Sequence, residues 1–163
     1  MTGQLIGIAV RGERRAPMQT LDLASVTCAA GVDGDHKGRK FKKRQVTVLA
    51  IEDWERALQD LAISDQSDAL PWTVRRANLL VKGLRLPRSV GAVLRIGTTA
   101  EICVTAPTWP CKRMDEVAPG LLKALCPDWR GGVTAQVLID GRVQLGDPVE
   151  ILSSPPERTR KLP

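Results

Sequence analysis

The chain has 163 residues, of which 43% are hydrophobic and 26% charged, a composition that fits one globular domain and excludes a disordered or fibrous chain. Its 24 Lys and Arg residues against 18 Asp and Glu residues give a formal net charge of +6, which favours anionic partners such as phosphates, nucleic acid or acidic proteins. No stretch approaches the roughly 18 apolar residues of a membrane span, and no basic segment followed by an apolar run opens the chain. We therefore expect a cytoplasmic protein that binds no membrane.

Short strands separated by glycine turns dominate the predicted elements. In chain order, strands are predicted over 4–10, 25–29, 45–49, 78–81, 92–96, 100–105, 137–139 and 142–144, and helices over 51–61 and 118–125. Residues 97–99 predict a hairpin loop, and Asp140-Gly141 predicts a type I′ turn that joins the last two strands as a second hairpin. This pattern indicates a mainly β fold, a closed or barrel-like β-sheet with one or two short helices, over residues 1–152. Residues 153–163, rich in proline and cations, predict a disordered basic tail.

Cys111 is the cysteine whose setting best suits chemistry. Pro107 and Pro110 hold the preceding chain extended, and Lys112 and Arg113 follow the thiol directly. Adjacent cations favour the thiolate, which is the form that attacks electrophiles and binds metals. The alternative is a bystander thiol. Cys28 and Cys126 are predicted to be packing residues, and Cys103 is predicted to be a strand residue that faces either inward or outward. Four widely spaced cysteines and a single histidine do not predict a structural zinc site.

Two adjoining segments carry candidate anion ligands. The glycine-rich loop 31–39, which contains Asp35 and His36, follows a predicted strand and can present backbone N–H groups to an anion. It can equally be a turn that closes a strand connection. The basic run 39–44 is either a solvated face or a contact for phosphate or nucleic acid.

Two further segments place arginines where they can grip an anion. Arg75, Arg76 and Asn78 stand at the mouth of a predicted strand, and a guanidinium fork suits phosphate or carboxylate. Edge protection of the sheet is the alternative for the two arginines. Arg130 precedes a glycine pair at 131–132 that can bring it close to a ligand, unless the segment is a simple loop.

Taken in order, these motifs resemble the MOSC family, the domain found at the C-terminus of molybdenum cofactor sulfurases. The resemblance runs from about residue 3 to residue 151 and rests on segments 31–36, 44–47, 76–79, 91–97, 110–111 and 146–147. The chain looks like a short standalone member. It departs from the family pattern at Ala77, where a charged residue commonly stands between the arginine and the asparagine.

The resemblance implies a β-rich barrel that binds a molybdopterin-type molybdenum cofactor. Cys111 would be the sulfur carrier or a direct ligand of molybdenum, because a soft thiolate suits a thiophilic metal. The implied cofactor-binding residues are Asp35, His36, Arg75, Arg76, Asn78 and Arg130. The sulfurases also carry a pyridoxal-phosphate domain, but this chain has no room for that domain and no candidate lysine motif, so no pyridoxal phosphate is expected.

Three functions follow from these residues. The first is a small oxidoreductase that acts through a molybdenum centre ligated by Cys111 and holds an anionic pterin with its arginines. The second is a carrier that delivers sulfur or cofactor to a redox or molybdoenzyme partner protein. The third is a nucleic-acid-binding barrel that uses the run 39–44; four Trp, one Phe and no Tyr provide few stacking platforms, so nucleic acid is not expected.

Overall fold

A computed structural model describes residues 2–61 and 70–157, most of which form β-strands. The strands are β1 (Thr2–Val10), β2 (Gln19–Thr20), β3 (Leu23–Thr27), β4 (Gly31–Val32), β5 (Val46–Ala50), β6 (Leu79–Lys82), β7 (Val93–Ile96), β8 (Ala100–Pro107), β9 (Val133–Ile139), β10 (Gly141–Gln144) and β11 (Pro148–Ser153). The α-helices are α1 (Ile51–Asp60), α2 (Arg113–Val117) and α3 (Leu121–Leu125), and 3-10 helices span Lys42–Arg44, Trp72–Arg75 and Pro127–Trp129. The predicted tail beyond residue 157 lies outside the described residues.

Seven strands close into a barrel. Their order is β11-β7-β8-β9-β5-β6-β1, and β1 pairs back to β11 with Thr2 opposite Glu150. Neighbouring strands are antiparallel except β5 and β6, which are parallel and joined by a connection that includes α1. The predicted fold, a mainly β closed sheet with a few short helices, is confirmed.

Two apolar clusters stabilise this arrangement. Alternate residues of β8, Ala100, Ile102 and Val104, are fully buried inside the barrel, as the period-two pattern of the strand requires. Outside the barrel, Trp54 of α1 packs in a second cluster with Leu121 and other residues of α3. The helices therefore cover one outer face of the barrel and leave its interior to strand side chains.

The predicted hairpin around Asp140-Gly141 is wrong. Strand β9 pairs with β5 and β8, whereas β10 pairs with β3, where Val143 lies opposite Ala24. A type I′ turn needs positive φ at both central residues, and neither Asp140 nor Gly141 has it. The side chain of Asp140 instead accepts a hydrogen bond of 2.7 Å from the Cys28 backbone N–H. This bond joins the residue before β10 to the residue after β3 in the small sheet β10-β3-β4.

The helix α2, which the sequence does not predict, begins directly after residues 107–112, the segment that contains Cys111 and is called the cysteine segment below. The Met114 N–H donates to the Cys111 carbonyl at 2.9 Å, and the buried Met114 side chain joins the cluster beneath α1. Gly120, with φ of 89°, separates α2 from α3, so the helix predicted over 118–125 forms only at its second half. None of the helices in the described part of the chain combines the length and the apolar character that crossing a membrane requires.

Candidate functional site: a cationic cavity beside Cys111

One end of the barrel holds a cavity of about 450 Å³. Six cationic side chains and no carboxylate stand among the described residues that line it. The lining consists of Arg11, Arg14, His36, Lys37, Lys40, Phe41, Arg44, Thr47, Thr108, Arg113 and Thr134. Cations gathered in this way repel one another, and an anion in the cavity would relieve that repulsion.

Arg11, the residue that follows β1, is clamped by the loop after β4. Its backbone N–H donates to Asp35 Oδ1 at 3.1 Å, and its carbonyl accepts from the His36 N–H at 2.9 Å. The Arg11 side chain is only 8% exposed and its Nη1 has no partner. Burial lowers the pKa of Arg11, nearby Arg76 lowers it further, and Asp35 opposes both effects. Asp35 thus holds the loop against Arg11 while partly balancing its charge.

Arg75 links the barrel to the cysteine segment. It ends the 3-10 helix Trp72–Arg75, is 8% exposed, and donates from Nη2 to the Thr108 carbonyl at 2.8 Å. Burial lowers its pKa to about 10, and the interaction with nearby Cys111 opposes that shift. The Nε of Arg75 and the hydroxyl of Thr108 are buried without partners, while Cys111 itself is exposed. The thiol therefore sits at the rim, close to a buried and incompletely bonded guanidinium.

His36 and Lys37 bring the loop after β4 to the cavity wall. The pKa of His36 is lowered by burial and then by the charge of Arg11, so the imidazole is neutral at pH 7. Its Nδ1 is buried without a hydrogen-bond partner. Burial, followed by Arg11, also lowers the pKa of Lys37. In both residues the protonated form is thus less favoured than it would be in solvent, and a bound anion would favour that form.

Arg76 lies beside this cavity and faces a neighbouring recess. Its backbone is left-handed, with φ of 66°, and its Nη1 is buried without a partner. The recess has a volume of about 350 Å³ and is also lined by Arg15, Arg113 and Glu116. Because Arg113 borders both spaces, the recess and the cavity adjoin.

Two predicted site residues have their side chains engaged elsewhere. Asn78 Oδ1 accepts from the Thr47 N–H at 3.0 Å and from its hydroxyl at 3.1 Å, and Asn78 Nδ2 donates to the Ala9 carbonyl at 3.2 Å. The buried amide of Asn78 thereby ties β1, β5 and β6 together. Arg130 forms an ion pair with Asp60 and donates to the Ala124 carbonyl at 3.1 Å, so its side chain lies among the outer helices.

The structure thus brings Asp35, His36, Arg75, Arg76 and Cys111 to one end of the barrel. Sequence reasoning missed Arg11, Lys37 and Thr108 as neighbours of these residues. A signal for Arg11 does exist, since it directly follows a predicted strand and opens a basic segment with Arg14 and Arg15. The run 39–44 is predicted to be either a solvated face or a contact for phosphate or nucleic acid. Three of its residues, Lys40, Phe41 and Arg44, line the cavity.

The fold is thus a closed β-barrel, and one end of it holds a cationic cavity whose described lining contains no carboxylate, near an exposed cysteine. The chain belongs to the MOSC domain family, whose family model matches residues 33–150. That family is associated with binding of the molybdenum cofactor. No curated protein sequence matches the chain.

Solved structures share this fold. The YuaD protein from Bacillus subtilis has a TM-score of 0.76 and 16% sequence identity, over 93% of this chain and 96% of that one. YiiM from Geobacillus stearothermophilus has a TM-score of 0.69 and 16% identity, over 93% of this chain and 75% of that one. YiiM from Escherichia coli has a TM-score of 0.66 and 18% identity, over 92% and 70%. At these identities the likeness concerns the fold alone.

The cavity suits the cofactor that the family implies. A molybdopterin-type cofactor presents a phosphate and a metal bound through sulfur, so it needs cationic donors at one point and tolerates a soft ligand at another. Unpartnered buried nitrogen atoms of Arg11 and Arg75 would provide the donors, and Arg76 adds positive charge from the adjoining recess. The described residues contain no cluster of three or more His, Cys, Asp or Glu, so Cys111 would be a single protein ligand to a metal that arrives already coordinated.

Proposed function

We propose that this protein binds a molybdopterin-type molybdenum cofactor in the cationic cavity and acts as a small oxidoreductase. The observation that carries the proposal is the set of buried, unpartnered arginine nitrogens at Arg11, Arg75 and Arg76, next to the Cys111 segment. A buried cation without a hydrogen-bond partner costs free energy, and a phosphate is the kind of group that would recover it.

Each residue then has a defined task. Arg11 and Arg75 donate hydrogen bonds to the phosphate, and the positive charge of Arg76 in the adjoining recess favours the anion without contacting it. Thr108 offers a buried hydroxyl that can donate or accept. Asp35 acts indirectly, since it holds the loop that carries His36 against Arg11. Cys111 provides the thiolate ligand to molybdenum, and the bound metal supplies the redox chemistry.

The test is the metal and pterin content of protein purified from a host that makes the cofactor. Wild type should carry about one molybdenum and one pterin per chain. Cys111→Ala should lose most of its molybdenum, whereas Cys126→Ala, which removes another exposed thiol at the end of α3, should match wild type. Turnover of an N-hydroxylated compound with a reduced viologen donor, present in wild type and lost in Cys111→Ala, would support the oxidoreductase. Unchanged molybdenum in Cys111→Ala would overturn the ligand role, and wild type without pterin would overturn the cofactor.

A carrier function is the second candidate, and the exposure of Cys111 favours it. A thiol at the rim can be reached by a second protein, which a sealed catalytic centre would not allow. Such a carrier should hold cofactor without turnover and activate a cofactor-free molybdoenzyme, or carry a persulfide on Cys111 that mass spectrometry detects. Rapid turnover by the isolated chain with no transfer to such a partner would exclude it.

A further inference from the structure

We propose that the recess lined by Arg15, Arg76, Arg113 and Glu116 is a second anion subsite, which takes a phosphate-type oxoanion. The recess measures about 350 Å³ and shares Arg113 with the cavity, so an anion in it would lie beside the first site. The existence of this subsite does not depend on molybdenum.

The charges of the recess are unbalanced. Within residues 2–61 and 70–157, no ion pair joins Arg15, Arg76 or Arg113 to a carboxylate, whereas the four ion pairs found there involve arginines elsewhere. The Nη1 of Arg76 is buried and has no hydrogen-bond partner. Arg76 and Arg113 also both lower the pKa of Arg11, which places these like charges close together. An arrangement of this kind is unfavourable unless an anion joins it.

The backbone provides an independent observation. Arg15 and Arg76 have φ of 67° and 66°, in the left-handed region that glycine occupies readily and other residues occupy at a cost. Two of the three arginines of one recess therefore sit where glycine would fold more easily. Strained residues of this kind concentrate at ligand sites, because the side chain is needed there.

Glu116 sets the charge of the anion. It stands on α2, exposed and outside every ion pair of the described residues, on the recess wall. Three guanidinium groups and one carboxylate leave the recess with a net charge of plus two, which matches a phosphate dianion. A bound phosphate would take hydrogen bonds from the arginines and keep its distance from Glu116.

The anion could come from two sources with the same chemistry. One source is a charged group of the substrate, held by Arg113 two residues from Cys111. The other is a second phosphate on a nucleotide-extended form of the cofactor. This choice rests on the proposed function, although the subsite itself does not.

Titration of ¹⁵N-labelled, cofactor-free protein with inorganic phosphate at constant ionic strength tests the subsite. The amides of Arg15, Arg76 and Glu116 report on the recess, whereas those of His36 and Lys37 report on the cavity. Saturable shifts in the recess group are expected. If the recess amides stay still while the cavity amides shift, the second subsite is overturned and the proposed function stands. If only the recess amides shift, the second subsite is supported and the proposed binding of an anion in the cavity is overturned.

Matched variants sharpen the result. Arg15→Gln should weaken phosphate at the recess at least about fivefold and leave the cavity within about twofold, since one charge-assisted contact is lost. Arg39→Gln removes another exposed arginine that lines neither space and should change neither group. Glu116→Gln removes the repelling carboxylate and should tighten binding at the recess. Equal behaviour of Arg15→Gln and Arg39→Gln would overturn the proposal.

The source of the recess anion, substrate or cofactor, is then determined with cofactor-loaded protein. If recess amides of cofactor-loaded protein still respond to phosphate and the released pterin carries no nucleotide, the substrate provides the anion. If they no longer respond and the released pterin carries a nucleotide, the cofactor provides it.

Discussion

At the scale of single residues, Arg75 is a charge that the fold buries without an acidic partner. Burial lowers the pKa of Arg75 to about 10, and this shift from its ordinary value corresponds to about 3 kcal/mol of disfavoured charge. Below pH 10 the side chain is charged in both the folded and the unfolded chain, so the cost is fully present at neutral pH. The cost is relieved only as the pH rises above about 10, where the folded state releases its proton before the unfolded state does. Removal of the charge or binding of an anion would relieve it at neutral pH.

We therefore predict that Arg75→Met stabilises the cofactor-free protein by about 1–3 kcal/mol and reduces its cofactor content. The expected gain in the free energy of unfolding is smaller than the full cost of burying the charge, because the hydrogen bond from Arg75 Nη2 to the Thr108 carbonyl is also lost. Urea denaturation measures the first effect and pterin analysis the second. Arg56→Met, on the exposed face of α1, is the control and should change neither. A destabilised Arg75→Met protein would show that the Thr108 bond outweighs the burial of charge.

His36, the single histidine, gives a direct titration signal for the cavity. Burial and Arg11 hold the pKa of His36 below its usual 6.5 in the free protein. A sulfate ion in the cavity would favour the imidazolium, so we predict that sulfate raises the pKa of His36. Proton NMR of the imidazole with and without sulfate, at equal ionic strength, measures the shift. The same pKa in both titrations would place His36 outside the anion site.

At the scale of elements, residues 131–132, which precede β9, support the site because their backbone packs closely against neighbouring segments. A Cβ at Gly131 would overlap the Thr108 carbonyl oxygen and come within 3.0 Å of Arg75 Nη2. The glycine pair at 131–132 thus allows the chain to press against the cysteine segment. The Arg130 side chain, which precedes the pair, contacts Asp60 and the Ala124 carbonyl.

Gly131→Ala should therefore destabilise the protein by about 2 kcal/mol or more and disturb the contact between Arg75 and Thr108. Gly12→Ala is a matched control, since no atom lies within 4 Å of its added Cβ and its φ is not positive. That variant should be neutral or slightly stabilising. Thermal denaturation of both variants, together with pterin content, provides the comparison. Equal stabilities would mean that the segment yields to the added methyl group.

Local patterns predict the elements well where one strand or helix buries one face. The alternation in β8 and the helical spacing of α1 are readable because buried side chains repeat along the element itself. The Asp140-Gly141 signal fails because strand pairing is decided by distant residues, here the contact between β10 and β3. Helix α2 escapes prediction because five residues with no capping side chain carry little local signal.

At the scale of the whole molecule, ordinary barrel packing supports an end that is strongly cationic. We predict that sulfate raises the melting temperature of cofactor-free protein in a saturable way, by about 5 °C or more at high excess, because the ion binds the folded state alone. Sulfate also stabilises proteins generally, so the informative quantity is the difference from Arg11→Met, which removes one lining cation. Differential scanning fluorimetry measures it. Parallel responses of the two proteins would argue against a specific anion site.

The sequence predicts the members of this cationic end better than their contacts. The grouping of Asp35, His36, Arg75, Arg76 and Cys111 follows from the order of motifs, since a shared fold brings distant segments together. The individual tasks do not follow, because they depend on which backbone groups each side chain meets. Asn78 illustrates this: its amide groups are engaged by Thr47 and Ala9, which no spacing in the sequence reveals.

The pairing of β1 with β11 has a consequence for biosynthesis. The first and last strands of the barrel form one seam, so the circle of strands cannot close until β11 has left the ribosome. All cavity-lining residues, from Arg11 to Thr134, emerge before that moment. These cations therefore cannot form the closed cavity before β11 is available, and topology of this non-local kind folds slowly. The closed end of the barrel, with its cationic cavity, is complete only when the seam forms.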